Sequence, residues 1–251
     1  MERLESNQDW INDILPEGLP YPTSNIISGP GGTGKPLIGF GMVNDWQKEG
    51  GAVIFLPLQY PKTDFVKTSL KKLYDIDTED YQGRLSYVKF DLDVNSWEKT
   101  AENELKANLL KPEVWDEVIE AAEENFSRNK GPGTFVFASA LNLLLFSPAY
   151  KQASLDKLEE LLGEDKQRTY LVTVSTSAFR EDISRWEDAA DTLMFSRMEE
   201  GMRLFLKLKR LKNERISTRE VEVPIQKEIL QEIKEVAEGV RKRKIPALRE
   251  I

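Results

Sequence analysis

Short runs of β-branched and aromatic residues recur along the chain, separated by stretches with helical spacing of apolar positions. The apolar runs predict strands at residues 23–28, 52–58, 85–92, 134–141 and 169–177. The intervening periodicity predicts helices at residues 36–50, 62–75, 154–163 and 181–188. Strands that alternate with helices are typical of a parallel sheet covered on both faces.

Two further regions complete the predicted elements. Residues 96–129 have helical character throughout, but proline is accepted in the first turn of a helix and not in its interior. Pro112 therefore divides this region into predicted helices at 96–110 and 112–128. Residues 191–212 alternate with a period of two around "EEG" at 199–201, which predicts an antiparallel hairpin at the edge of the sheet.

The last amphipathic segment, residues 224–240, predicts a terminal helix that precedes the basic sequence "RKRK". Its apolar face comprises Ile225, Ile229, Ile233, Val236 and Val240. Such a face either packs on its own domain or is reserved for a partner or a neighbouring subunit. Both interpretations remain open from the sequence.

The composition excludes several kinds of chemistry. The 251 residues include no histidine and no cysteine, which excludes disulfides, zinc sites, thiol nucleophiles and imidazole catalysis. The net charge of −8 argues against a protein that coats nucleic acid with its whole surface, although residues 203–219 form a basic stretch. The apolar runs are too short to span a bilayer, and the N-terminus lacks a signal-peptide pattern. We expect a cytoplasmic protein with no membrane partner.

The sequence "SGPGGTGKPLIGF", residues 28–40, contains the pattern G-x-x-x-x-G-K between a predicted strand and a predicted helix. Backbone N–H groups and the helix N-terminus of such a loop bind phosphate, and its lysine adds a positive charge. The alternative is a relic loop that keeps the shape without the ligand. The predicted phosphate-binding residues are Gly29, Pro30, Gly31, Gly32, Thr33, Gly34, Lys35 and Pro36.

Pro36 departs from the usual pattern of this loop, in which a Ser or Thr supplies a hydroxyl to magnesium. Proline has neither a hydroxyl nor a backbone N–H, yet it suits the first turn of a helix. We therefore expect the fold to survive the change, whereas magnesium coordination and one amide contact to phosphate should be lost.

Two longer stretches carry a family resemblance: "INDILPEGLPYPTSNIISGPGGTGK" and "EDAADTLMFSRMEEGMRLFLKLKRLKNERIS". They resemble the KaiC-like branch of the RecA/RadA superfamily, and the likeness covers roughly residues 8–218. It implies a three-layer α/β P-loop NTPase fold, with a mostly parallel sheet, an antiparallel edge hairpin and a C-terminal helix. It also implies a nucleotide-binding domain at 1–218, a strand and helix extension with a basic tail at 219–251, and ATP or ADP as the ligand.

At the positions where this family has the acidic residues that hydrolyse ATP, this chain has residues without a carboxylate. The position of the catalytic glutamate pair falls on Leu58 and Gln59, and that of the Walker B aspartate falls on Ala138. None of these side chains can accept a proton from water as a carboxylate does. Asp91 or Asp93 could restore an acid, but the family's strand order places them roughly 10 Å further from the metal position. The resemblance thus implies no catalytic residue and no metal ligands.

The resemblance also assigns polar positions around the nucleotide. Ser139, Ser175 and Thr176 match residues that sense the γ-phosphate, with a solvent-exposed strand end as the alternative. Arg210 and Lys212 match the motif by which family subunits reach a neighbour's nucleotide, with a solvated basic edge as the alternative. This inter-subunit motif, a possible finger formed by Arg210 and Lys212, implies a homo-oligomer, such as a ring, or pairing with an active paralogue.

These observations favour a pseudo-ATPase: a protein that binds ATP or ADP, hydrolyses it poorly, and acts as a regulatory, signal-transducing or scaffolding subunit. Removing one well-placed group from such a site can cost on the order of 3 kcal/mol, and three groups are missing here. A nucleic-acid-binding paralogue of recombination or repair proteins, using residues 203–219, is the first alternative. A slow ATPase with atypical metal ligands is the second.

Overall fold

The computed structural model describes residues 2–60, 63–127, 131–216 and 219–251. The strands are β1 (Glu2–Leu4), β2 (Leu19–Tyr21), β3 (Ser24–Ser28), β4 (Ala52–Pro57), β5 (Leu85–Phe90), β6 (Trp97–Ala101), β7 (Glu104–Ala107), β8 (Thr134–Ser139), β9 (Thr169–Thr173), β10 (Thr192–Glu199), β11 (Arg203–Leu211) and β12 (Glu220–Val223). The helices are α1 (Asp9–Ile14), α2 (Lys35–Lys48), α3 (Thr63–Tyr74), α4 (Pro112–Glu123), α5 (Lys151–Glu164), α6 (Arg180–Ala189) and α7 (Lys227–Arg249). Short 3₁₀ turns cover Thr78–Tyr81, Leu141–Phe146 and Glu200–Met202. Three predicted boundaries, at residues 62, 128 and 218, lie outside the described residues.

A ten-stranded sheet in the order β12-β11-β10-β3-β9-β8-β4-β5-β7-β6 forms the centre of the protein. Its strands are parallel from β10 to β7 and antiparallel at both edges. The predicted α/β class, with a mostly parallel sheet and an edge hairpin formed by β10 and β11, is confirmed. Strands β1 and β2 pair separately as a small antiparallel sheet.

Successive residues of the central strands pack on opposite faces of the sheet, which produces three layers. In β4, Ile54 and Leu56 belong to one hydrophobic cluster, whereas Val53 and Phe55 belong to the other. Helices α4, α5 and α6 cover the first face, and α2 and α3 cover the second. Because both faces are covered, the strands consist of nearly continuous apolar residues.

The predicted helix at 96–110 is wrong, because this segment forms the antiparallel hairpin of β6 and β7. Strand β7 adds in parallel to β5, with Leu105 opposite Val88, and its Leu105 and Ala107 are buried. The Glu, Lys, Ala and Leu of this segment favour a helix in isolation, but the open edge of β5 offers hydrogen bonds and apolar burial that override this propensity.

The terminal helix is present but longer than predicted. Helix α7 continues beyond residue 240 through the basic sequence and past Pro246 to Arg249. Its inward face is offset by about one residue from the predicted face, so that Ile229 and Val236 are only half buried. The buried residues are Leu230, Ile233, Ala237, Val240 and Leu248. This face packs on its own chain. Among the described residues, no helix is long and apolar enough to cross a membrane.

Candidate nucleotide-binding site

A glycine-rich loop connects the end of β3 to the start of α2, as the sequence predicts. Gly29, Gly32 and Gly34 have φ angles of 145°, 76° and 58°, a region that favours glycine. A Cβ atom on Gly29 would lie 2.2 Å from the carbonyl oxygen of Ser196. The loop therefore folds tightly against β10, and larger residues at these positions would distort it.

The loop leaves backbone donors free for a ligand. Among the described residues, the N–H groups of Gly32 and Gly34 have no hydrogen-bond partner, and Gly31 N–H donates to Ser177 Oγ at 2.9 Å. The Thr33 hydroxyl is used internally, since it donates to Pro30 O at 3.0 Å. Unpaired N–H groups at the start of a helix form a binding site for an oxyanion.

Lys35 is folded back into the loop and is only 5% exposed. Its Nζ donates to Gly29 O at 3.0 Å, to Pro30 O at 2.5 Å and to Thr33 Oγ1 at 3.1 Å. Burial, together with the positive charge of Arg241, lowers the pKa of Lys35 to about 7. A buried cation near a second cation is unfavourable unless an anion compensates it, and a bound phosphate would supply that charge.

A cavity of about 50 Å³ lies above the loop. It is bounded by residues 31–36, by Gln59 and Asn142, by the end of β9, and by α7. None of its described lining residues is a carboxylate. In the part of the chain that the structure describes, no cluster of three acidic residues could hold a metal ion.

The fold is similar to that of a KaiC-like protein from the hyperthermophilic archaeon Pyrococcus horikoshii OT3, with 18% sequence identity and a TM-score of 0.64. The match covers 90% of this chain and 95% of that chain. The chain has a KaiC-like fold. In sequence, by contrast, no family model matches the chain, and no curated protein matches it.

The KaiC-like fold shows where the two expected acidic positions lie. Leu58 is fully buried in the apolar core, whereas Gln59 lines the cavity. Ala138 lies in β8 opposite Leu56 and is 1% exposed. Neither position presents a carboxylate to a bound phosphate.

Asp91 does not supply the missing acid in this structure. It follows β5, which lies two strands from β8, as the family's strand order implied. Its carboxylate pairs instead with Lys89 at 3.4 Å and with Lys106 at 3.7 Å.

The residues after β9 lie directly against the loop. Thr176 N–H donates to Gly29 O at 3.0 Å, and Ser175 N–H donates to Asn142 Oδ1 at 2.9 Å. Ser175 lines the cavity, whereas the Ser139 hydroxyl is buried with no hydrogen-bond partner among the described residues. The structure thus places Ser175 and Thr176 beside the loop and Ser139 at the end of β8, opposite Thr173 of β9, and the sensing role of all three stays a prediction.

Sequence reasoning missed two residues at the site outside α7, Asn142 and Ser177. Asn142 interrupts the apolar run "LNLLLF", and a buried polar residue in such a run is a usable signal. Ser177, whose hydroxyl accepts from Gly31 N–H, has a weaker signal because serine is common in loops.

Arg210 and Lys212 make contacts within the chain. Arg210 Nη2 donates to Ala190 O at 2.9 Å and also to Glu187 O, both near the end of α6. Lys212 Nζ donates to Asp191 Oδ1 at 3.0 Å. Contact with a neighbouring subunit's nucleotide stays a prediction, and in the single chain both side chains hold the end of α6 against β11.

We expect Arg210→Ala to lower the free energy of unfolding by about 1–3 kcal/mol, because it leaves the carbonyl oxygens of Glu187 and Ala190 without their charged donor. Urea unfolding followed by circular dichroism measures the change. Lys209→Ala removes an exposed cation from the same strand and should change stability little. Equal stability of the two variants would contradict the structural role of Arg210.

Proposed function

We propose that this protein binds ATP or ADP through residues 29–36, hydrolyses it little or not at all, and acts as a regulatory or scaffolding subunit. One observation carries the proposal: a phosphate loop with free N–H groups and a buried lysine adjoins a cavity with no described carboxylate lining it. The described lining contains donors that bind phosphate, and it contains no carboxylate that could activate water or orient a metal.

The division between binding and turnover has a physical basis. Phosphoryl transfer depends on positioning and on electrostatic stabilisation by metal ions and cations. Pro36 offers no hydroxyl to magnesium, and Gln59 and Ala138 offer no carboxylate. Backbone amides and Lys35 act on the phosphate oxygens directly, so they can bind without a metal.

Calorimetric titration with ATP and ADP, in the presence of Mg²⁺ and in EDTA, tests the proposal. We expect similar affinity under both conditions, because no side chain of the loop is available to coordinate the metal. Phosphate release should stay at the background rate. Release at about 1 s⁻¹ or faster, in the range of ordinary enzymes, would contradict hydrolysis deficiency and favour an active ATPase with atypical metal ligands.

Assembly into a homo-oligomer or pairing with an active paralogue belongs to the same proposal, and the match of Arg210 and Lys212 to the family motif that reaches a neighbour's nucleotide supports it. Sedimentation with and without ATP would detect assembly into a ring, and co-purification would detect an active paralogue. The nucleic-acid alternative has less support, because β12 places acidic residues beside the basic stretch. Arg203 pairs with Glu222 at 2.5 Å, and Arg197 pairs with Glu220 at 2.5 Å.

A further inference from the structure

Helix α7 lies directly across the phosphate loop. The Cδ2 atom of Leu230 is 2.6 Å from the position of a Cβ on Gly34, and Lys234 Cε is 3.6 Å from that on Gly32. Arg241 Nη1 is 3.3 Å from the corresponding position on Gly31. Residues spaced by three or four share one face of a helix, so α7 presents a continuous stripe to the loop.

The helix is anchored at both of its ends. Leu230 belongs to the cluster that contains α2, whereas Leu248 is fully buried in the cluster on the opposite face of the sheet. Lys72 Nζ of α3 also pairs with Glu232 at 2.8 Å. Contacts with both clusters hold α7 across the carboxyl ends of the strands, where α/β proteins bind their ligands.

The charges that α7 presents to the loop are positive. Lys234 and Arg241 form no ion pair or hydrogen bond with any described residue, and they face a cavity that already contains Lys35. An inhibitory helix that occupied the phosphate position itself would be expected to place a carboxylate next to Lys35. Cations placed near Lys35 repel it, and an oxyanion between them would compensate this repulsion by attracting each of the cations.

The enclosed cavity that remains between α7 and the loop is small. Its volume is about 50 Å³, whereas sites for whole small-molecule ligands occupy roughly 300–1,000 Å³. With α7 in this position, the enclosed space adjoins the donors of the loop, and the base and ribose of a nucleotide would have to lie outside it or displace α7.

We propose that Lys234 and Arg241 are phosphate-binding residues, and that α7 completes the oxyanion site of the loop within a single chain. The ligand is a phosphate-sized oxyanion, either inorganic phosphate or the terminal phosphate of a nucleotide. This inference rests on the proposed function of the loop, and it adds the residues that close the site from the opposite side.

Titration with inorganic phosphate and with ATP tests these residues. Arg241→Gln removes one charge that faces the loop, and Arg243→Gln removes one exposed charge from the same helix. We expect Arg241→Gln to weaken phosphate binding about tenfold or more, Lys234→Gln to weaken it to a smaller extent, and Arg243→Gln to leave it unchanged. Circular dichroism of each variant verifies that the helix content of the protein is unchanged.

The outcomes separate this inference from the proposed function. If Arg241→Gln binds phosphate and ATP as well as the parent, or more tightly, while Lys35→Met loses both, then α7 is only a cover and the inference is wrong. The loop would still bind nucleotide in that case. If the parent chain binds neither phosphate nor ATP, the proposed function fails and the inference fails with it.

A cross-linking arm distinguishes the two sources of the oxyanion. The chain has no cysteine, so Lys72→Cys with Glu232→Cys introduces the only thiols, and a short reducible bis-thiosulfonate can join α3 to α7. We expect the joined protein to keep phosphate binding and to lose ATP binding until the linker is reduced, which identifies inorganic phosphate as the ligand of the closed form. Retention of both ligands would identify the terminal phosphate of ATP. Loss of both would overturn the inference.

Discussion

The Lys35→Met protein is expected to lose ATP and ADP affinity by about a hundredfold or more, while becoming more stable than the parent chain at pH 6. Removing one partner of a buried, hydrogen-bonded charge pair costs about 2–5 kcal/mol of binding free energy. In the free protein, however, Lys35 is a buried cation that faces Arg241. Methionine keeps a similar length and removes the charge, so the ligand loses a contact and the empty protein loses an unfavourable one.

The stability difference should depend on pH in a defined direction. The pKa of Lys35 is lowered from 10.5 to about 7 by folding, so the unfolded chain binds more protons between these values. The parent should therefore carry the full penalty below about pH 7 and should gain stability as the pH rises towards 10.5. At about 1.4 kcal/mol for each pKa unit, the upper bound is about 5 kcal/mol, which the lost hydrogen bonds to Gly29 and Pro30 partly offset.

Urea unfolding of parent and variant at pH 6, 8 and 9.5, with calorimetric titration of ATP at pH 6, measures both effects. Lys48→Met changes an exposed lysine of the same helix and should alter neither binding nor the pH profile. A Lys35→Met protein that retained ATP binding would show that the loop amides act alone. A stability difference that did not shrink between pH 6 and 9.5 would show that Lys35 is not a buried cation.

The parts of the site that could be predicted are those that adjacent residues encode. The seven residues from Gly29 to Lys35 specify a local backbone shape between a strand and a helix, so the loop could be located before any tertiary contact was known. The strand order followed from the resemblance, and it correctly placed Asp91 two strands from β8. The loop is thus predicted by a local pattern, and the strand order is predicted by the family resemblance.

The parts that could not be predicted depend on contacts between distant segments. An amphipathic helix indicates that one face is buried but not what covers it, and here Leu230 and Arg241 of α7 meet a loop about two hundred residues earlier in the chain. Likewise, a segment with high helical propensity becomes β6 and β7 because β5 has an open edge beside it. Arg210 could be matched to a motif, but its contacts with Glu187 and Ala190 could not be read from the sequence.

These long-range contacts change the binding site that the loop sequence alone predicts. The pattern by itself predicts an open phosphate site whose metal side is degenerate. With α7 in place, the same loop is enclosed by Lys35 from below and by Lys234 and Arg241 from above. Pro36 and Ala138 stand where the family has a metal-binding hydroxyl and an acidic residue, whereas α7 adds the cations Lys234 and Arg241. Both differences from the family pattern favour binding of an oxyanion over activation of water.

Trp46→Ala is expected to lower the free energy of unfolding by about 3–5 kcal/mol. Trp46 is fully buried at the end of α2, and its indole nitrogen donates to Gly133 O at 3.0 Å. The ring lies 5.0 Å from that of Phe135 and so close to Gly51 that a Cβ there would be 2.2 Å from the indole nitrogen. Alanine would leave a cavity between α2 and the sheet and an unpaired carbonyl at Gly133.

Three variants together test how much the packing of Trp46 contributes to stability. Trp97→Ala is the matched control, since Trp97 is 37% exposed at the sheet edge and its loss should cost far less. Trp46→Phe keeps part of the buried volume but removes the hydrogen bond and one ring of the indole, so it should cost less than Trp46→Ala and more than Trp97→Ala. Urea unfolding of the three variants gives the order, and a Trp46→Ala protein no less stable than Trp97→Ala would contradict the packing of α2 on the sheet.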